Sequence, residues 1–265
     1  MNYQNIILQR KDKIAQITLN RPQRLNALNE AMIDELTHAL NTCQKEDTIR
    51  AIVIKGAGNH FCSGGDIQVM QEYLAAKKPE QFFQEPLKKI HRFALSITKL
   101  PKPVVAAIQG HASGAGFNLA LCCDLRIAGQ SAKFSQAFIK IGLIPDTGGT
   151  FLLPRIVGWA KALELCLSGE ILDAREALQL GLVNQVVPDE ELDKTAMTLA
   201  NKLANGPTFA IGKLKILLQK SFSSTLEKQL EEEQKTQVEI VKKSQDFMEG
   251  VKAFLEKRPP RFQGK

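Results

Sequence analysis

An α/β fold with a helical C-terminal region is what this sequence predicts, and three observations predict it. Short apolar runs of strand type alternate with stretches of helical spacing over most of the chain. Two of those runs lead into glycine-rich loops, around residues 56–66 and 110–116, with helical spacing behind them. From about Asp189 the strand-like runs stop, and charged segments with apolar stripes take over.

Taken in order, Ile14–Leu19 reads as a strand of mixed alternation, followed by the turn Asn20-Arg21-Pro22. Asn29 stands in a capping position ahead of a helical stretch with apolar Met32, Ile33, Leu36 and Leu40. Residues 51–54 predict a buried strand, closed by Gly56-Ala57-Gly58-Asn59. The polar, lysine-containing residues 71–85 predict an exposed helix or a mobile loop, and residues 86–100 have helical spacing. Val104–Ile108 is another buried strand, and after a glycine loop residues 117–123 read as a helix start. A further helix-like run ends at Val157. Leu192–Ala204 and residues 225–255 are helical. The second carries Leu226, Leu230, Val238, Val241, Val251 and Phe254, a stripe suited to packing against the core or a sister subunit. The alternation lacks a dinucleotide-binding repeat, and no low-complexity linker interrupts it.

Composition narrows the class. The chain has 265 residues, 44% hydrophobic and 24% charged, which suits a globular protein with a sizeable core. No apolar run is long enough to span a bilayer, and residues 1–13 lack the apolar stretch of a signal peptide, so a cytoplasmic location is expected. The five cysteines are odd in number and form no CxxC pair, which predicts free, buried thiols. With four histidines and no HExxH, no metal site is expected. The net charge of +7 permits an anionic ligand, either nucleic acid or a small molecule bearing phosphate.

The chemistry sits in the two loops. His60-Phe61-Cys62-Ser63-Gly64-Gly65-Asp66-Ile67 and Gly110-His111-Ala112-Ser113-Gly114-Ala115-Gly116 each follow a buried strand and enter a helix. Glycine lets the backbone turn an N–H outward, and a helix start offers unpaired donors and a positive dipole end. Two such donors can grip one developing oxyanion. The second loop is not a dinucleotide fingerprint, because Leu119 stands where the third glycine belongs, and Ser113 is one position off for a nucleophile elbow. On the residues alone the loops are two anion cradles or two tight turns.

Together the loops resemble the paired signatures of the enoyl-CoA hydratase/isomerase (crotonase) family. Leu25-Asn26-Ala27-Leu28 after Asn20-Arg21-Pro22, the stretch Lys102-Pro103-Val104-Val105-Ala106-Ala107, Gly181-Leu182-Val183-Asn184 and the tail from Glu249 to Arg258 match it in order. The resemblance implies a spiral of repeated ββα units over residues 1–195. It implies a helical region, residues 196–265, for oligomerisation and site closure, in a homotrimer or hexamer. It implies oxyanion donors at Gly65 and Ala115, and an acyl-CoA site that includes Leu25, Ala27, Ser63, Asp66, Ile67, Gly114 and Phe138. Coenzyme A enters as part of the substrate, and no separate cofactor or metal is implied.

Hydratases of this family carry two glutamates; here those positions hold Asn118 and Phe138. Ile144-Pro145-Asp146-Thr147-Gly148-Gly149-Thr150 instead resembles the segment bearing the essential aspartate in ring-1,2-epoxyphenylacetyl-CoA isomerases and related enzymes. The resemblance therefore implies an isomerase with Asp146 as its base, acting in fatty acid or aromatic degradation. Phe138, Leu143 and Ile144 are expected to raise the pKa of Asp146. As a plain alternative, Asp146 could cap the following helix. A hydratase using Asp146 alone, and an RNA-binding relative, are the competing readings. Glu30, Asp34 and Glu35 on the first helix speak against RNA, as does the lack of a basic–aromatic stretch.

Overall fold

The computed structural model describes residues 2–265. Ile6–Lys11 (β1) and Ile14–Leu19 (β2) form an antiparallel hairpin. Helix Glu30–Lys45 (α1) follows, capped by Asn29, whose side chain accepts the Met32 N–H at 2.9 Å. Then come Ala51–Gly56 (β3), Ile67–Ala75 (α2), Pro79–Phe82 (α3) and Glu85–Thr98 (α4). Val104–Ile108 (β4), His111–Ser113 (β5), Ala115–Cys122 (α5), Leu125–Gly129 (β6) and Lys133–Ser135 (β7) make the next turns. After them lie Gly149–Val157 (α6), Trp159–Ser168 (α7), Ile171–Asp173 (β8), Ala174–Gln179 (α8) and Gln185–Val187 (β9). Leu192–Ala204 (α9), Thr208–Ser221 (α10), Leu226–Lys243 (α11) and Asp246–Leu255 (α12) end the chain.

The large sheet has the order β1-β2-β3-β4-β6-β9, parallel from β2 onward, and β5-β7-β8 form a smaller one. Each turn of the chain adds a strand to the large sheet and then a short strand or single bridge to a second layer. The bridges Leu28–Gly65 and Cys62–Ala112 belong to that layer, as do β5 and β7. This is the expected ββα spiral.

Both faces of the large sheet are covered, which is why its central strands read as unbroken apolar runs. Ile17, Ile52, Ile54, Val104 and Ala106 pack with Met32, Leu36 and Leu40 of α1 and Phe93 and Ile97 of α4. The alternate residues Val53, Val105, Ala107 and Ile127 meet α9 through Leu192, Ala196, Ala200 and Ala204. Small residues four apart let that helix lie close to the strands. Helix α9 runs across positions 195 and 196 and belongs to the sheet packing.

Several expectations need correction. Residues 71–85 are not one exposed element: α2 and α3 form there, and Phe82 is buried. The helix of the second loop begins at Ala115, not Phe117. Residues 225–255 are two helices, because Ser244 turns extended and its hydroxyl accepts the Asp246 N–H at 3.2 Å, starting α12 afresh. All five cysteines are free, and only Cys166 is not fully buried.

Candidate active site

The first loop is held by the turn before α1. Leu25 and Asn26 take left-handed conformations, with φ of +49° and +56°. Asn26 is fully buried; its amide donates to the carbonyls of Ala57 and His60 at 2.9 and 2.7 Å. Ser63 N–H donates to Leu25 O at 3.0 Å. Leu28 N–H donates to Gly64 O at 2.7 Å, and Leu28 O accepts Asp66 N–H at 3.0 Å. Those two bonds straddle Gly65, whose own N–H takes no backbone acceptor among the described residues.

Asp66 is buried, with both carboxylate oxygens engaged inside the fold. One accepts Gln68 N–H at 3.1 Å and caps α2; the other lies 2.8 Å from the Arg21 guanidinium. Arg21 also donates to Ala27 O at 2.6 Å. Asp66 thus ties the turn at Arg21 to the loop and offers no free oxygen to a ligand. Ala27 is buried, whereas the side chains of Leu25 and Ile67 are exposed.

The second loop depends on Gly114, whose φ of +53° and ψ of −126° suit only glycine. Its N–H donates to Ser135 O at 2.8 Å. Ala115 opens α5, so its N–H is one of the first-turn donors without an intrahelical acceptor. The loops meet closely: a β-carbon on Gly64, itself at φ +105°, would lie 2.9 Å from Ser113 O and 3.5 Å from Ala115 N. The geometry brings the Gly65 and Ala115 segments to one place. The ring of Phe138 closes the other side, 3.7 Å from where a Gly114 β-carbon would sit.

Asp146 joins this site through α5. Asn118, one turn after Ala115 and fully buried, donates its amide to Asp146 O at 2.8 Å. Its oxygen accepts the Gln136 amide at 2.7 Å, and Gln136 is equally buried. The residue at a hydratase glutamate position is therefore a strut under the Asp146 main chain. A lone asparagine in the apolar helix Ala115–Cys122 was the signal for it. Asp146 does not cap α6: Gly148 holds the N-cap position, and Thr147 and Gly148 turn left-handed between Asp146 and the helix. Its carboxylate instead accepts the Thr147 hydroxyl at 2.7 Å. Burial pushes the Asp146 carboxyl above its ordinary range, while the Thr147 hydrogen bond and the charge of His91 pull it back. Phe138 is buried and Leu143 half-buried, but Ile144 is exposed and adds little to that burial.

Beside the first loop lies an apolar cavity of about 450 Å³, lined by Ile67, Met70, Leu74, Phe82, Phe83 and Leu143, among others. A β-carbon on Gly65 would reach within 2.9 Å of the Met70 methyl group, so the cavity adjoins that donor. Cys62 is fully buried and its thiol is pushed up to about 12, which makes it a packing residue. Lys215 is paired with Asp124 at 2.6 Å and Lys213 with Glu239 at 2.6 Å.

A sequence model described as enoyl-CoA hydratase/isomerase matches residues 9–265. The chain is 44% identical to the 1,2-epoxyphenylacetyl-CoA isomerase of Escherichia coli K12, over 94% of each chain. It is also 44% identical to a "Probable enoyl-CoA hydratase" of Rhodobacter capsulatus, over the full length of both. Among solved structures, an enoyl-CoA hydratase from Bacillus anthracis superposes with a TM-score of 0.92 at 33% identity, covering 99% of this chain and 100% of the other.

Proposed function

The chain belongs to the enoyl-CoA hydratase/isomerase family, and from that premise we propose that it is an acyl-CoA isomerase. In this reading Gly65 and Ala115 N–H groups receive the thioester oxygen, and Asp146 moves the proton. The α-proton of a thioester is weakly acidic, and two donors at the oxygen stabilise the enolate that forms on its removal; loss of one donor in comparable holes costs about 3–4 kcal/mol. A single carboxylate can take a proton at one carbon and return it at another. That shifts a double bond, or opens an epoxide toward rearrangement, without a water molecule in the balance. Coenzyme A is carried by the substrate, in a site that includes Leu25, Ala27, Ser63, Ile67, Gly114 and Phe138, and the acyl group extends into the apolar cavity beside Met70.

The observation that supports this reading is the acid inventory. Asn118 is committed to bonds with Gln136 and Asp146, and Phe138 is a buried ring, so neither orients a water. The similarity to a named isomerase points the same way. The equal similarity to a probable hydratase favours a second reading, slow hydration with Asp146 alone. A panel of 2-enoyl, 3-enoyl, dienoyl and aryl-epoxide CoA thioesters, with product identification, separates them. Isomerisation of a 3-enoyl-CoA is expected to outrun hydration of crotonyl-CoA. The opposite order makes this a hydratase.

A further inference from the structure

The seam joining the two oxyanion loops contains an irregular rung. Cys62 N–H donates to His111 O at 2.9 Å, and Ser113 N–H donates to Cys62 O at 3.0 Å. The rung before these is displaced by one residue, Phe61 N–H donating to Gln109 O at 2.8 Å, which leaves His111 N–H without a main-chain acceptor. The His60 carbonyl itself accepts the buried amide of Asn26 at 2.7 Å. The His60 side chain supplies the acceptor instead, its Nδ1 receiving His111 N–H at 3.1 Å. Space for the ring exists because residue 110 is glycine: a β-carbon there would lie 2.5 Å from His60 Nδ1 and 2.0 Å from Asn59 O. The His111 ring stacks on that of His60, with centroids 5.0 Å apart and 28° between planes.

We propose that His60 is a positioning residue for the oxyanion hole, its neutral imidazole standing in for a main-chain carbonyl and holding the two donor loops in register. The inference rests on the reading of Gly65 and Ala115 as donors. Cys62 and Ala112 form the bridge between the loops, and each donor lies three residues beyond its side of it. A slip at the bridge therefore displaces one donor against the other. Only a neutral ring keeps a lone pair on Nδ1; a protonated one would present N–H to N–H. Burial, and then the neighbouring His111, hold the His60 imidazole below its ordinary range, so the lone pair is available at neutral pH.

Two substitutions isolate the acceptor. His60→Asn places an oxygen on the γ-carbon where Nδ1 was, and His60→Leu keeps bulk without an acceptor. The probe is butyryl-CoA with a ¹³C-labelled carbonyl, which binds with no double bond to move. Its infrared C=O stretch falls on binding to the wild-type protein when the hole polarises it. In His60→Leu the stretch is expected to return toward the free value, and kcat on a 3-enoyl-CoA to fall by roughly tenfold to a hundredfold with little change in KM. His60→Asn is expected to restore both, and a merely structural role would not move the carbonyl frequency. Melting curves accompany each variant, and His60→Ala replaces His60→Leu if the latter does not fold. A wild-type frequency in the variant without an acceptor overturns the proposal, as does failure of His60→Asn to restore it. If wild-type protein leaves the stretch unshifted, the oxyanion-hole reading itself fails and takes this proposal with it.

Discussion

Asp146 is subject to opposed influences on its acidity, and both can be altered one residue at a time. Burial raises the carboxyl, and the Thr147 hydroxyl lowers it by bonding to the ionised form. The ionised form is the one that accepts a proton. Turnover should therefore fall as pH drops through the raised value, above the ordinary carboxylate range. Thr147→Val keeps the β-branched shape at φ +52° but removes the hydroxyl. The carboxyl then rises further, and the acid limb of kcat moves to higher pH. A pH–rate profile checks this; a limb that stays put or moves down contradicts the assignment. Asp146→Asn should lower turnover by about 10²–10⁴-fold with little effect on CoA binding. Full activity in that variant would remove Asp146 from the mechanism.

Among the elements, β1 shows what the sequence leaves hidden. Ile6–Lys11 turns polar after two isoleucines and a leucine, as an edge strand does, so periodicity alone does not mark it. It is pinned by a residue on another element. Glu35 of α1, one of the acids weighed against RNA binding, is buried, and its carboxylate accepts the N–H groups of Gln4, Asn5 and Ile6 and the Asn5 amide, at 2.8–3.2 Å. Glu35→Gln would turn one oxygen into a donor facing donors, at a cost of about 2–3 kcal/mol. Urea unfolding measures that; an unchanged midpoint would show the cluster to be incidental. The apolar central strands and the Asn29-capped helix α1 were legible because burial and capping leave marks on neighbouring residues. The glycine loops were legible only through their likeness to a family, since glycine permits a conformation without saying what approaches it. Gln136 and His60 act through partners distant in sequence, Asn118 and His111, and no local pattern announces such a partner. Helix α10 was missed because its apolar residues Leu214, Ile216 and Leu218 point outward, blurring any single stripe.

For the whole molecule, the division of labour between sheet and C-terminal helices sets the last expectation. The sheet is already covered on both faces, by α1 and α4 and by α9. Helix α11 therefore places no residue in this chain's core, although it carries the apolar stripe. Ion pairs Lys213–Glu239 and Lys220–Glu232 fasten it to α10, leaving a cleft of about 950 Å³ lined by Leu218, Leu230, Ile240, Phe247, Val251 and Phe254, among others. Phe254 is 83% exposed and Leu226 71%. An apolar surface of that kind is expected to meet another protein surface, and since the family resemblance implies a homotrimer or hexamer the expected partner is a second copy. No helix among the described residues is long and apolar enough to cross a membrane, so a bilayer-spanning role for the stripe has no support. Sedimentation equilibrium should then give three times the chain mass, or six. Placing lysines at Leu226 and Phe254 should weaken association by about 2 kcal/mol or more, roughly thirtyfold, and release monomer. The sheet core, which contains neither residue, should keep its secondary structure by circular dichroism in that monomer. A wild-type protein that sediments as a monomer at all concentrations would show that this face has another use.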